Sequence, residues 1–203
     1  MKHVYWLGGG SGAGKSTVAR RLADEHGLRL YDTDAAMADH AARSTPEDSP
    51  ALHEFLAMDM AERWGERSPE VMLETFHWYR GEGFGLIVED LLASPAGSTV
   101  VVEGFRLLPE LVQPLLTRPE HAVWLLPTPA FRRAAFERRG SLWHIAGRTS
   151  DPEAALRNLL RRDELFTERL ARRVRELGLP AIEVDATVRE DVLMQRVGAV
   201  FIA

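Results

Sequence analysis

The chain has 203 residues, enough for one α/β domain whose core hides about 70% of the surface of the unfolded chain. Lysine and arginine number 25 against 30 acidic residues, for a formal net charge of -5, so the overall basic excess that favours nucleic acid is missing; no apolar run approaches the roughly 20 residues that span a bilayer. The absence of cysteine excludes disulfides, thiolate metal sites and cysteine nucleophiles, and with an N-terminus that opens directly on a strand it predicts a cytoplasmic protein with no nucleic-acid and no membrane partner.

In chain order, residues 4–7 read as a short buried strand that runs straight into Gly8-Gly9-Gly10-Ser11-Gly12-Ala13-Gly14-Lys15-Ser16-Thr17. The spacing Gly9-x-x-x-x-Gly14-Lys15-Ser16 is a complete Walker A sequence. A triphosphate needs many donors close together. A glycine-rich turn lets successive N–H groups point inward without Cβ clashes, and the helix that follows adds its positive end. Gly9, Gly10, Ser11, Gly12, Ala13 and Gly14 are therefore expected to cradle the phosphates of a nucleotide. Lys15 should reach the β and γ phosphates, Ser16 should ligate Mg2+, and Thr17 should support it from the first helical turn. Lys15 is the only lysine beyond Lys2 in a chain that otherwise uses arginine. A plain strand-to-helix turn is the competing reading, and the full spacing ahead of the amphipathic residues 16–26 disfavours it.

Residues 28–31, 99–103, 122–126 and 181–184 supply four more short strands, each separated by segments of helical periodicity. That alternation predicts a doubly wound parallel sheet, with the ligand beyond the carboxyl ends of the strands, where Gly8, Asp32, Glu103 and Pro127 emerge. Residues 35–93 are too many for a simple crossover, and Pro46, Pro50 and Pro69 divide them into about three helices, a helical insert over the site. Within it, residues 43–50 read as a polar loop, and Gly81-Glu82-Gly83-Phe84-Gly85 as a hinge. Trp64, His77, Trp78, Tyr79, Arg80 and Phe84 form either core or the wall of an acceptor pocket. From 152 to 177, Leu156, Leu159, Leu160, Phe166, Leu170, Val174 and Leu177 recur at helical spacing and predict a long core-packing helix. A helical wheel puts Asp163 on that stripe, Arg162 at its edge and Arg161 facing away, so Asp163 needs a cationic partner. Histidines 40, 53, 77, 121 and 144 show no metal-ligand spacing.

With the loop, Asp32-Thr33-Asp34 and the later segments taken together, the chain resembles the P-loop small-molecule and nucleoside-monophosphate kinases. The first 35 residues look most like shikimate and gluconate kinases. Val101-Val102-Glu103-Gly104-Phe105-Arg106 is similar to the Asp-Gly-Phe-Pro-Arg stretch of adenylate kinases, and Gly147-Arg148-Thr149-Ser150-Asp151-Pro152-Glu153 resembles the end of an adenylate-kinase lid. The resemblance implies a three-layer α/β/α sandwich with a five-stranded parallel sheet, one domain over residues 1–203, an acceptor-binding insert at about 35–93 and a short lid at about 132–151. It implies ATP as phosphoryl donor, Asp32 assisting Mg2+, Asp34 meeting the acceptor hydroxyl, Arg148 acting from the lid, and Arg106 as a candidate ligand for an acceptor phosphate. Arg132, Arg133, Arg138 and Arg139 precede Arg148, and Arg161 or Arg162 follows where such kinases carry another arginine. Val184-Asp185-Ala186-Thr187 looks like the strand-to-helix loop whose backbone reads adenine.

Phosphoryl transfer needs alignment and dispersed positive charge more than covalent catalysis. Lys15, Mg2+ and lid arginines supply the charge, Asp34 orients the acceptor or takes its proton, and Glu103 holds a metal-bound water or an acceptor hydroxyl. The plainer reading of Asp32 and Asp34 is that both cap the helix starting near Ala35. An ATP-dependent kinase acting on a small-molecule hydroxyl or phosphate accounts for these features together. The alternative is a nucleotide-binding regulatory protein or ATPase without such an acceptor. A GTPase switch lacks its Asn-Lys-x-Asp motif, which lysines at positions 2 and 15 alone cannot supply.

Overall fold

A strand inside a parallel sheet buries both rows of its side chains, so its sequence reads as a continuous apolar run. β1 (Val4–Gly9) does this, and its loop opens α1 (Lys15–His26). β2 (Arg29–Asp32) is followed by α2 (Met37–Arg43), α3 (Pro50–Ala57), a π-helical turn at Glu62–Glu66, α4 (Pro69–Thr75), a 3-10 turn at His77–Arg80 and α5 (Phe84–Leu92). β3 (Val100–Glu103), α6 (Pro109–Val112), β4 (Ala122–Pro127), α7 (Pro129–Arg139), α8 (Ser141–Ala146), α9 (Pro152–Glu176), β5 (Ala181–Val184) and α10 (Glu190–Ile202) complete the chain. The computed structural model describes residues 1–95, 97–139 and 141–202, and of residues 139, 141–143 and 202 only the backbone. All five strands pair in parallel in the order β2-β3-β1-β4-β5. Among the described residues no helix is long and apolar enough to cross a membrane.

Period-two alternation sorts the sheet into two cores. Val4, Trp6, Val100, Val102, Ala122 and Trp124 face α9 and the helices between β2 and β3, whereas Leu7, Val101, Val123 and Leu125 face α1 and α10. At the packed face Trp124 donates its indole N–H to Leu107 O at 2.8 Å, which satisfies the one polar atom of a fully buried ring.

The segment between β2 and β3 holds four α-helices rather than about three. Pro50 and Pro69 open α3 and α4 in the first turn, where a missing N–H costs nothing. The additional break carries no proline: α5 starts after Gly83, whose φ of 71° ends the preceding turn. Between α2 and α3 the polar residues form the expected loop, closed by Thr45 donating its hydroxyl to Asp48 at 2.6 Å.

α9 begins at Asp151, whose carboxylate accepts the Ala154 N–H at 3.0 Å, with Pro152 in the first turn. Leu159, Phe166, Leu170 and Val174 are buried along its inner stripe, each contributing on the order of 1.5–3 kcal/mol. Arg161 is exposed, as the wheel predicts, but Arg162 lies inside rather than at the edge. The pull comes from its neighbour: Arg162 Nε and Nη2 donate to Asp163 Oδ1 at 2.9 and 2.6 Å, and Tyr79 donates its hydroxyl to the same oxygen at 2.9 Å. The guanidinium lies over Trp64, Phe76 and Tyr79 at 5.2, 4.9 and 5.3 Å, and Tyr79 stacks on Phe166 at 3.7 Å. Burial works against the charge on Arg162, and Asp163 and Tyr79 together outweigh it. One ion pair in an aromatic setting thus ties the insert to the long helix.

Replacing Asp163 by alanine leaves Arg162 charged and uncompensated, at an expected cost of about 3–5 kcal/mol in urea unfolding. Adding Arg162→Met to Asp163→Ala should recover much of the loss, and equal stability of the single variant and the parent would contradict this account.

Candidate functional site

At the carboxyl end of β1 the chain passes so close to β4 that a side chain has no room. Gly9 has φ 130°, and a Cβ there would stand 2.1 Å from Leu125 O. Gly10 N then donates to Leu125 O at 3.0 Å, and the loop turns into α1 through Gly14. No side chain caps α1, so the N–H groups of its first turn and the positive end of its dipole are directed at whatever anion lies in the loop. Lys15 is buried, its ammonium donating to Gly10 O at 2.9 Å across the loop. Ser16 and Thr17 are half-buried on the first turn.

The carboxylates come from neighbouring strands. Register sets Asp32 beside Glu103, and Glu103 beside Leu7, so β2, β3 and β1 end together. Glu103 is 1% exposed, and neither carboxylate oxygen meets a well-formed hydrogen bond within the chain. Burial raises its pKa, while Lys15 and Ser16 nearby pull it down. Asp32 Oδ1 accepts the N–H groups of Asp34 and Ala35 at 2.8 and 3.1 Å. These bonds close the turn after β2 and do not cap α2, which starts at Met37 with no side-chain cap, so the helix-capping reading fails for both Asp32 and Asp34. Asp34 is open to solvent just past the end of β2, yet the protein around it displaces enough water to raise its pKa, with Lys15 acting in the opposite sense.

Behind Asp34 lies Arg106, buried and pushed down to about 10 by that burial. Its Nη1 donates to Thr33 O and its Nη2 to Gly83 O, both at 3.2 Å, and the guanidinium stacks 3.9 Å over Trp78. Asp34 and Arg106 are close enough for each to favour the other's charge. Gly104 makes this approach possible: at φ 150°, a Cβ would fall 1.7 Å from Thr33 Oγ1. The Gly81–Gly83 turn is tied down by Glu82, whose carboxylate accepts the N–H groups of Ala51 and Leu52 at the start of α3, at 3.0 and 2.8 Å. Of the aromatic residues in the insert, Trp64, Trp78 and Tyr79 are core; Phe84 packs on Trp6, and exposed Arg80 donates to Glu74 O at 3.1 Å. The core reading of this group prevails, with Trp78 reaching the site only as the platform under Arg106.

A cleft of about 810 Å3 opens beside the loop, lined by Gly14, Thr17, Phe131, Arg138, Val184 and Ala186 among others. Its volume and mixed lining suit a nucleoside. Asp185 Oδ1 accepts the Thr187 N–H and hydroxyl at 2.7 and 2.6 Å, which closes this turn, and its neighbours Val184 and Ala186 line the cleft. Arg148 lies exposed at the turn after α8, away from the cleft lining. Arg138 lines the cleft, whereas Arg132, 3% exposed, packs its aliphatic Cγ 3.5 Å from where a Cβ on Gly12 would be and turns its guanidinium to Thr167. The side chain of Arg139 and all of Gly140 lie outside the described residues. A cluster of Asp39, His40 and Asp90 resembles a metal site, but Arg43 donates to Asp39 at 2.9 Å and to Asp90 at 2.7 Å and fills it with its own cation.

His77, packed between Phe55 and Trp78 and facing Arg106, has its pKa lowered to about 3, chiefly by burial. A base held neutral in the fold binds fewer protons than in the unfolded chain between pH 3 and 6.5, so stability falls as pH drops through that window. Between pH 7 and pH 5 this one group should cost about 2 kcal/mol, and His77→Gln should flatten that part of the pH profile in thermal unfolding. An unchanged slope would show that His77 titrates alike in the folded and unfolded chains, and would contradict this account.

The family model described as shikimate kinase matches residues 11–48. Among curated proteins, the shikimate kinase of Mycobacterium bovis is 30% identical over 162 residues, which cover 74% of this chain and 88% of that protein. The shikimate kinase of Xanthomonas campestris pv. campestris is 28% identical over 145 residues, covering 63% and 76% respectively. Among solved structures, an uncharacterized protein from Eubacterium ventriosum superposes with a TM-score of 0.50 at 15% identity, covering 98% of this chain and 97% of its own, a likeness of fold alone.

Proposed function

This chain belongs to the shikimate kinase family and is an ATP-dependent kinase of small molecules; from that premise we propose that it phosphorylates a hydroxyl of a small hydroxy acid of the shikimate type. The observation that supports the reading is the strand register that ends Asp32 and Glu103 side by side, with Lys15 and Asp34 at the same mouth. The loop from Gly9 to Thr17 and Lys15 hold the phosphates of ATP, and the cleft between Phe131 and Val184 takes its base.

Asp34 accepts the proton of the attacking hydroxyl as the new oxygen–phosphorus bond forms and the bond to the β-phosphate oxygen breaks, leaving ADP. Its raised pKa makes it a better base than a solvated carboxylate. Arg106, held rigid by Thr33, Gly83 and Trp78, presents a fixed charge to an acidic acceptor. The residues present fit a Mg2+ ion: the Glu103 oxygens are buried and unspent, Ser16 is beside them, and Asp32 has Oδ2 in hand. Ser16, Asp32 and Glu103 would hold it, and bound Mg2+ supplies neutralisation of charge on the phosphates. Arg148 acts only after the lid closes over ATP.

Release of ADP from Mg-ATP should be stimulated by shikimate, gluconate or a related hydroxy acid and not by nucleoside monophosphates; stimulation by the latter alone would sink the acceptor class. Lys15→Ala should lower kcat by on the order of 10²–10³-fold with the fold retained. Asp34→Asn should lower kcat by about 10²–10⁴-fold while KM for ATP stays within about twofold. A variant impaired only in ATP binding would assign Asp34 to the metal instead.

A further inference from the structure

Helix α7 uses two opposite faces. Phe131, Ala134 and Arg138 line the nucleotide cleft, whereas Arg132 and Arg133 look across a separate groove of about 240 Å3 at Arg157, Arg161 and Glu164 of α9. Four arginines therefore line one small groove, with Glu164 the one acidic residue among its lining.

Their partners explain only part of this. Arg161 donates to Glu164 at 2.7 Å and lies 3.7 Å from Glu168, which offsets its charge. Arg133 and Arg157 each have a glutamate four residues away, Glu137 and Glu153, the usual route by which helix-surface arginines are paired. Neither pair forms, and among the described residues no other ion pair or hydrogen bond engages the two side chains; both line the groove. Arg132 is nearly sealed from solvent, gives Nη1 to Thr167 Oγ1 at a long 3.4 Å, and leaves Nε with no partner. A buried, charged donor left unsatisfied is costly, and an anion in the groove would satisfy it. Planar guanidinium forks from two helices match a tetrahedral oxyanion better than any single carboxylate.

We propose that the groove between α7 and α9 is a second anion site, distinct from the nucleotide cleft, that binds a phosphate dianion, either inorganic phosphate or the phosphate of a phosphomonoester metabolite. Arg133 and Arg157 attract and clamp the ligand at the rim, and Arg132 is the buried donor at its base. The two sites lie on either side of α7, so both can be filled at once.

The test is calorimetric titration of the full-length protein saturated with Mg2+ and adenylyl imidodiphosphate, so that every phosphate position along the loop is occupied. Inorganic phosphate is titrated in one arm and glycerol 3-phosphate in the other. Saturable one-to-one binding is expected in at least one arm, and the tighter ligand identifies the source. Affinity should fall steeply with added salt, and by about tenfold or more in Arg133→Ala and in Arg157→Ala. Both positions are exposed, so both variants should fold, and Arg157→Ala should keep the parent's affinity for the nucleotide. No saturable binding in either arm would overturn the proposal, as would affinity undiminished in both variants, which would put the phosphate elsewhere on the protein.

Discussion

The closeness of β1 to β4 where the loop leaves the sheet governs everything at the carboxyl edge. Gly9 lies against the Leu125 backbone with no space for a Cβ, Gly10 is hydrogen-bonded to Leu125 O, and a side chain on Gly10 would collide with Thr167 Oγ1 at 2.6 Å. The phosphate-binding loop is thus pinned between a strand and the long helix. The backbone around it has little room to relax. Preorganisation of this kind spares the site the entropy of ordering donors around each incoming nucleotide.

A second constraint holds the acceptor side. The helices between β2 and β3 have little local reason to sit where they do, since all four have nine residues or fewer and marginal stability alone. They are positioned by polar ties buried in aromatic surroundings: Arg162 with Asp163 and Tyr79, Glu82 with the start of α3, and Arg106 with Thr33 and Gly83. Such ties add less net stability than their number suggests, because desolvation offsets much of the attraction. What they add is direction, as each can be satisfied in only one arrangement. That arrangement places Arg106 behind Asp34.

The same logic explains why arginine, and not lysine, populates the interior. Arg106 and Arg162 both lie over aromatic rings while their N–H groups donate hydrogen bonds, a combination that a planar guanidinium suits better than an ammonium. Lys15 is the exception, and its place is the loop, where a compact charge reaching across a turn suits the phosphates.

Much of this was legible in one dimension. Short apolar strands, alternating with helical stretches, decide a parallel sheet because backbone pairing and burial act through local periodicity. The Walker A spacing identifies the loop because glycine backbone freedom is needed at set intervals, and the wheel of the long helix foretold a buried Asp163 in need of a cation. Other features were undetermined until the chain was folded. Arg148 and Arg132 look alike in sequence, and only the packing of α7 on the loop distinguishes the one at Gly12 from the one at the surface. The aromatic run in the insert fits core and pocket wall equally well, and the choice depends on which neighbours α9 and the sheet bring to it. Sequence by itself determined the elements, the loop and its nucleotide chemistry, since those follow from contacts a few residues apart. Tertiary structure alone decided the pairing of the arginines and the meeting of Asp32 with Glu103, because those depend on register and packing between segments some 70 residues apart, about which local spacing carries no information.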